Sequence, residues 1–307
     1  MSELVKTRSE ILFLYDVTDA NPNGDPVDEN KPRIDEETGI NIVTDVRLKR
    51  TIRDYLHEYK KREVFIIETR DDKGNLRTKE DRLGDFKTSE DLLDKCIDIR
   101  LFGATTAVEG KTMVLTGPVQ FKYGRSLHKV DPTYVKGTTV MPSRAERKQG
   151  TFTEKYILPY SLIAFYGIVN ENAAANQGIQ LTEEDISLML EAMWNGTKNL
   201  ISGSKFGQVP RLLMQVVYKE GNFYLGELDK RISLISLKNN DKEIRDIADV
   251  KIDMTDLINT LQKSKDKVEK IRLKIDERII FVQNGNEIRL DETEGILKDF
   301  QIEFLSF

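Results

Sequence analysis

The stretch from Phe13 to Leu56, FLYDVTDANPNGDPVDENKPRIDEETGINIVTDVRLKRTIRDYL, constrains this chain most, because it joins an apolar strand to a basic helix through a long polar loop. Between Asn21 and Gly39 lie three prolines, two glycines and three asparagines, residues that fix tight turns. A connection of this length with no periodicity of its own is a candidate functional segment. The helix behind it has a clear start. Thr44 and Asp45 offer a cap oxygen and negative charge to the first free amides, and Leu48, Ile52, Tyr55, Leu56 and Tyr59 recur at helical spacing as an expected buried stripe. Arg47, Lys49, Arg50, Arg53, Lys60 and Lys61 fall mainly on the other side, with Asp54 and Glu58 as the acidic exceptions. A plain solvated face is the competing reading of such a helix.

Charge distribution sharpens the choice. The chain of 307 residues has a formal net charge of -5, which by itself argues against a polyanion partner. Yet residues 47 to 62 sum to +5 and residues 111 to 155 to +6, leaving -16 for the rest. Two basic islands on an acidic body suit a protein that holds a polyanion along one path and stays soluble elsewhere. The length allows one large domain with insertions. No apolar run is long enough to span a bilayer, and MSELVKTRSE lacks a secretory core, so a cytoplasmic protein is expected. The single cysteine, Cys96 in DLLDKCIDIRLFG, reads as a small apolar helix residue.

Periodicity predicts a strand over 11–17, a helix over 44–61, a short strand near 64–67 and a charged insertion over 69–88. A helix near 89–101, a strand over 113–123, a strand over 156–169, a helix over 182–202 opened by Thr182 and Asp185, and a strand over 208–218 follow. Without insertions the order is strand, helix, strand, strand, helix, strand. That is the split βαβ arrangement of ferredoxin-like α+β domains, shared with RNA-recognition modules whose sheet faces single strands. Strands at 223–228 and 232–237, a helix near 254–271 and a hairpin over 279–290 turning at NGN complete the reading.

The motifs NPNGDP (Asn21 to Pro26), NKPRID (Asn30 to Asp35), VTDVRLKR (Val43 to Arg50), DIRLFG (Asp98 to Gly103), GPVQFKYGRSLH (Gly117 to His128) and SKFGQVPRLL (Ser204 to Leu213) resemble those of the backbone subunit of the type I CRISPR complex Cascade. The closest resemblance is to its type I-B branch. It implies a hand-shaped member of the RAMP superfamily: a ferredoxin-like (RRM-like) palm over 10–68 and 113–220, a helical fingers insertion over 69–112, a thumb hairpin over 124–155, and C-terminal strands and helix over 221–307. Several copies would stack along one guide crRNA beside other Cascade subunits. The crRNA, not the protein, would read target DNA.

In that family the first basic helix and its loop contact the guide, which selects Asn23, Arg33, Lys49, Arg50 and Arg53. Arg47 is the weaker choice, turned toward Asp54. Arginine and lysine neutralise phosphate without reading sequence. Arg33 could instead pair with Asp28 or Asp35. The thumb brings Arg125, Ser126, His128, Arg144 and Lys148, and its Val140 and Met141 are candidates for an apolar wedge between bases, or for packing on a neighbouring subunit. A metal role for His128 would need His57, which lies on another element. In SGSKFGQVPRLL, Gly203 and Gly207 can take positive φ near a phosphate, with Lys205, Gln208 and Arg211 around them. A helix cap turning into a strand is the plainer reading. The residues imply no cofactor, metal or membrane partner. The competing class is a metal-dependent RNase of the type III backbone kind, using Asp25, Asp28 or Glu29. A free single-strand RNA-binding protein is a further alternative.

Overall fold

The structure is a computed structural model that describes residues 3–108, 111–138, 152–291 and 295–307. Its centre is strand β1 (Ser9–Ala20), whose first nine residues are all buried. Ile11, Phe13, Tyr15 and Val17 point to one face, and Leu12 and Leu14 to the other. Such a run, apolar at both parities, belongs to a strand covered on both faces.

Helix α1 (Asp45–Glu58) and helix α2 (Glu183–Lys198) close the first face. Their Ile52, Leu56, Leu190 and Met193 pack in one cluster with Phe13 and with Phe165 of strand β4 (Phe152–Val169). Two shorter strands, β2 (Val119–Phe121) and β3 (Gly124–Lys129), precede β4. Strand β5 (Gln208–Tyr218) follows α2, and β6 (Val268–Ile275) lies on its outer side. Pairing is antiparallel throughout this set, with Phe13 opposite Phe165 and Leu213, Met214 opposite Leu273, Ile168 opposite Gln120 and Ile163 opposite Ser126. The sheet therefore runs β6, β5, β1, β4, with β2 and β3 beyond β4.

The second face is not open. Leu12, Leu14, Leu162 and Met214 pack against Leu228, Ile247, Ile252, Leu257 and Leu261 from the C-terminal third. A single strand of nucleic acid thus has no access to the middle of this sheet, in contrast to the expectation taken from RNA-recognition modules. Any such ligand must use the strand ends and loops.

Several expected elements have other forms, and two share one cause. Residues 64–67 do not form a strand, because the amides of Phe65 and Ile66 donate to the buried Asp98 carboxylate, at 2.8 and 3.1 Å. Residues 223–227 likewise lack a strand: the amides of Leu225 and Gly226 each donate to Glu10 at 2.8 Å. Glu10, fully buried on β1, also accepts from the hydroxyls of Tyr166 and Tyr218. A buried carboxylate is tolerated when donors surround it, and both carboxylates do this by drawing amides away from strand pairing.

The expected helix over 89–101 is two, Ser89–Lys95 and Ile97–Phe102, broken where Cys96 takes extended backbone, φ −94° and ψ 107°. Cys96 is fully buried, and burial pushes its thiol up to about 12. The expected strand over 113–123 divides at Gly117 and Pro118. Lys111–Thr116 pairs with Gly103–Val108, where φ is +71° at Gly103 and a Cβ would lie 2.1 Å from the Leu115 carbonyl oxygen. The expected helix over 254–271 ends at Lys263, since Val268, Ile271 and Leu273 are taken by the sheet as β6. The hairpin Phe281–Gln283 with Asn286–Ile288 turns where expected, with φ +51° at Asn284 and +81° at Gly285.

Candidate nucleic-acid interface

Sequence-distant loops meet where β1 ends. Thr44 caps α1, its Oγ1 accepting from the Arg47 amide at 3.3 Å. The Asn23 Oδ1 accepts from both the Thr44 amide and its hydroxyl, at 2.8 and 2.9 Å, so Asn23 ties the polar loop to the helix start. Asn21 then ties the same loop to the 204–207 turn: its amide donates to the Ser204 carbonyl at 2.9 Å, and its own carbonyl accepts from Lys205 Nζ at 2.6 Å. Gly207 has φ +104°, and its carbonyl accepts from the Thr18 amide at 2.9 Å. A Cβ there would sit 2.4 Å from the Thr18 carbonyl oxygen, so only glycine allows this approach. Gly203, expected to share that freedom, has no positive φ.

Most cations selected from the sequence already have carboxylate partners. Arg33 pairs with Asp25 at 2.6 Å, neither of the two partners expected. Lys49 pairs with Asp45 at 3.0 Å and donates to Gln120, while Arg50 holds Asp54 at 2.7 Å. Arg53 is buried on Asp98 at 2.9 Å. Arg211 is buried between Asp16 at 2.8 Å and Asp276 at 2.5 Å. Arg125 is exposed and only loosely placed on Asp35, at 3.6 Å.

The uncharged candidates are also occupied within the fold. Ser126 is buried, accepting from the Asn41 amide and donating to the His128 carbonyl. His128 is buried against the Tyr160 ring; its Nε2 accepts from the Leu162 amide at 3.2 Å, and burial lowers its pKa. The Gln208 side chain donates to the Lys205 carbonyl at 3.1 Å and braces the turn. Val140, Met141, Arg144 and Lys148 lie outside the described residues.

Two cations differ from these. Neither Lys205 nor Arg47 forms an ion pair with a carboxylate among the described residues. Burial, and then the Arg47 charge, lower Lys205 to about 8. Burial also lowers Arg47, whose Nη2 donates to Thr51 Oγ1 at 2.9 Å and whose Nε is buried without a partner. Partly desolvated positive charge with spare donors is arranged for an anion, since only an anion offsets it. Lys155 adds a further cation by donating to the Gly203 carbonyl at 3.0 Å, and Phe206 presents an aromatic side chain 73% exposed on the same turn. The sequence reading set Arg47 aside by its helical face and did not single out Lys155 or Phe206. The Arg47/Thr51 spacing of four was the available signal, because it lets the Thr51 hydroxyl take a guanidinium donor while Asp54 is held by Arg50.

The loop carboxylates serve the turn. Asp25 accepts from the Val27 amide at 3.0 Å, Asp28 pairs with Lys31 at 2.7 Å, and Glu29 accepts from the Tyr156 hydroxyl at 3.0 Å. Among the described residues no group of three or more side chains is placed to hold a metal ion.

A mixed α/β protein built on one broad sheet, with two partly desolvated cations, Arg47 and Lys205, beside the end of its central strand, is the class these features define. Solved structures share that fold. One titled "CRISPR RNA-guided surveillance complex" is similar with a TM-score of 0.56 at 15% identity, covering 98% of this chain and 95% of its own. Another, titled "CRISPR RNA-guided surveillance complex, pre-nicking", has a TM-score of 0.55 at 12% identity over 91% and 96%. The family follows from sequence. The model described as CRISPR-associated protein Cas7 matches residues 7–255. A Haloferax volcanii protein, "CRISPR-associated protein Cas7", is 33% identical over 318 residues, covering 93% of this chain and 92% of that relative. The chain belongs to the Cas7 family.

Proposed function

We infer that this protein is a non-catalytic backbone subunit of a crRNA-guided surveillance complex, of the type I kind and its I-B branch. Copies line a guide crRNA, hold its phosphates without sequence preference and leave its bases to pair with target DNA, alongside other subunits in the cytoplasm. The family membership and the motif resemblance support this assignment. The β5, β1, β4, β2/β3 strand order, with α1 and α2 on one face, supports a ferredoxin-like palm, with residues 69–112 as fingers, 124–155 as a thumb whose first strand, β3, is shared with the palm sheet, and 221–307 covering the second sheet face.

The observation that carries the reading is the Arg47 and Lys205 pair, two cations with no carboxylate ion pair among the described residues, where the loop after β1, the start of α1 and the 204–207 turn meet. Lys205 and Arg47 take the guide backbone, Arg125 and Lys155 extend its path, and Phe206 offers a ring for base stacking. Val140 and Met141 remain the proposed wedge, and Arg144 and Lys148 proposed phosphate contacts. The metal-dependent RNase reading is not favoured, since Asp25 and Asp28 are engaged within their own loop and Glu29 by the Tyr156 hydroxyl of β4.

Binding pH tests this pair. Lys205 with a pKa of about 8 is mostly charged at pH 7 and mostly neutral at pH 9. A phosphate beside it favours the charged form, so binding takes up a proton above pH 8 and weakens as pH rises. Guide affinity of the wild type should fall about tenfold from pH 7 to pH 9, and that of Lys205→Arg should stay nearly flat. A wild-type profile as flat as that of Lys205→Arg would remove Lys205 from the interface.

A further inference from the structure

Thr51 lies one helical turn after Arg47 on α1 and is buried. A threonine inside a helix turns its hydroxyl toward the carbonyl four residues earlier, and this one donates to the Arg47 carbonyl at 3.2 Å. The oxygen keeps its lone pairs, and it accepts from Arg47 Nη2 at 2.9 Å. A single hydroxyl therefore ties the Arg47 guanidinium to the helix backbone.

Packing sets the direction of that hydroxyl. A Cβ at Gly196 of α2 would lie 3.1 Å from the Thr51 carbonyl oxygen and 3.3 Å from its Cγ2, so the two helices touch here because Gly196 has no side chain. A β-branched side chain in a helix has few rotamers, and with the methyl against α2 the oxygen is left to Arg47. The groups that act on the Arg47 charge are Asp54 and Arg50 on its own helix, Tyr15 on β1 and Lys205 on the 204–207 turn. Asp54 is taken, because Arg50 Nε donates to both of its oxygens, at 2.7 and 2.9 Å. Tyr15 is neutral, because burial holds its phenol well above the usual range.

We propose that Thr51 is a positioning residue for guide binding, its hydroxyl keeping the Arg47 guanidinium beside Lys205 so that the RNA backbone meets both charges in place. This rests on the reading that Arg47 and Lys205 take the guide, and it adds a residue that acts through Arg47 without touching RNA. Two consequences separate this role from support of the fold. A guanidinium released from Thr51 turns toward water, so the guide loses a preorganised donor. The Arg47 charge is also one of the two causes that lower Lys205, so with Arg47 displaced Lys205 keeps its proton to higher pH.

The test compares Thr51→Val, which keeps the shape of the side chain and removes the hydroxyl, with Thr51→Ser, which keeps the hydroxyl and removes the methyl. Thr51→Ala, a better helix former, repeats the loss of the hydroxyl should Thr51→Val fail to fold. Each variant and the wild type are titrated with single-stranded RNA between about pH 7 and pH 9, where Lys205 changes charge. Thr51→Val should bind about tenfold more weakly at the lower pH, the size of one lost charge-assisted hydrogen bond. The midpoint of its pH dependence should move up by about half a unit. Thr51→Ser should match the wild type in both respects. Unchanged affinity and midpoint in the hydroxyl-free variants would overturn the proposal and leave the guide site standing, and so would a loss in Thr51→Ser equal to theirs. A wild type that binds no RNA, or binds it with a flat pH profile, would overturn the reading of the guide site and the proposal with it.

Discussion

Asp98→Ala should destabilise the protein by about 3–5 kcal/mol, the range for removing one partner of a buried ion pair. Asp98 is fully buried and accepts from Arg53 Nε at 2.9 Å and from the Phe65 and Ile66 amides at 2.8 and 3.1 Å. Its loss leaves a buried guanidinium and two amides without an acceptor, and it cuts the tie between α1 and the insertion. Urea unfolding monitored by circular dichroism reads the change directly. The 69–102 segment should also become the first site of proteolysis in the variant, because its attachment is what fails. A loss below about 1 kcal/mol would show that Arg53 finds solvent or another acceptor, and would return it to the list of free cations.

The second large effect concerns binding. A charge-assisted hydrogen bond is worth about 1.5–3 kcal/mol, so the double variant Arg47→Ala, Lys205→Ala should lose about 3–6 kcal/mol of guide affinity, or two to four orders of magnitude. Its salt slope should fall by about 1.4, from roughly 0.7 per single-strand phosphate contact. Folding should not suffer in step, since removing a partly desolvated Lys205 also removes a cost. Lys49→Ala is the informative comparison. Lys49 is already held by Asp45 and Gln120, so its replacement should change affinity much less. Equal losses for Lys49→Ala and Lys205→Ala, measured by titration at several salt concentrations with two unrelated guides, would show that ion pairing in the free protein does not sort the contacts.

Local signals carried a good part of this fold. The Thr44 cap, the reciprocal Thr182 and Asp185 capping box, the bounds of β5 and the Asn284 and Gly285 turn all lie within a few residues of the pattern that reveals them. Tyr59 shows where periodicity overreaches: it continues the apolar stripe of α1, yet it lies past the helix end and is 54% exposed, stacked on Tyr55. What could not be read depends on partners far away in sequence. Residues 64–67 and 223–228 look like strands because their apolar residues fit, but Asp98 and Glu10 claim their amides from 32 to 216 positions away.

The candidate site divides in the same manner. Counting charge located the basic islands, but whether a cation is free depends on tertiary pairing. Arg53 and Arg211 find their carboxylates 45 and 195 residues away, and so move from expected surface ligands to interior ion pairs. Lys205 is the reverse case, a residue whose partner is a carbonyl and whose pKa is lowered by burial and by another cation, Arg47. The covered second face of the sheet was hidden for a related reason. It depends on where residues 228–261 pack, and no periodicity within them says which surface they will choose.

The central claim is that the chain assembles along RNA, and native mass measurement tests it most directly. The protein would be purified, divided into nuclease-treated and untreated portions, and re-examined after adding single-stranded RNA of increasing length. The expected result is RNA-bound multimers in the untreated portion, and masses that rise by one protein copy for each fixed increment of RNA, whatever its sequence. An RNA-free monomer in both portions, unchanged by any added RNA, would contradict the account.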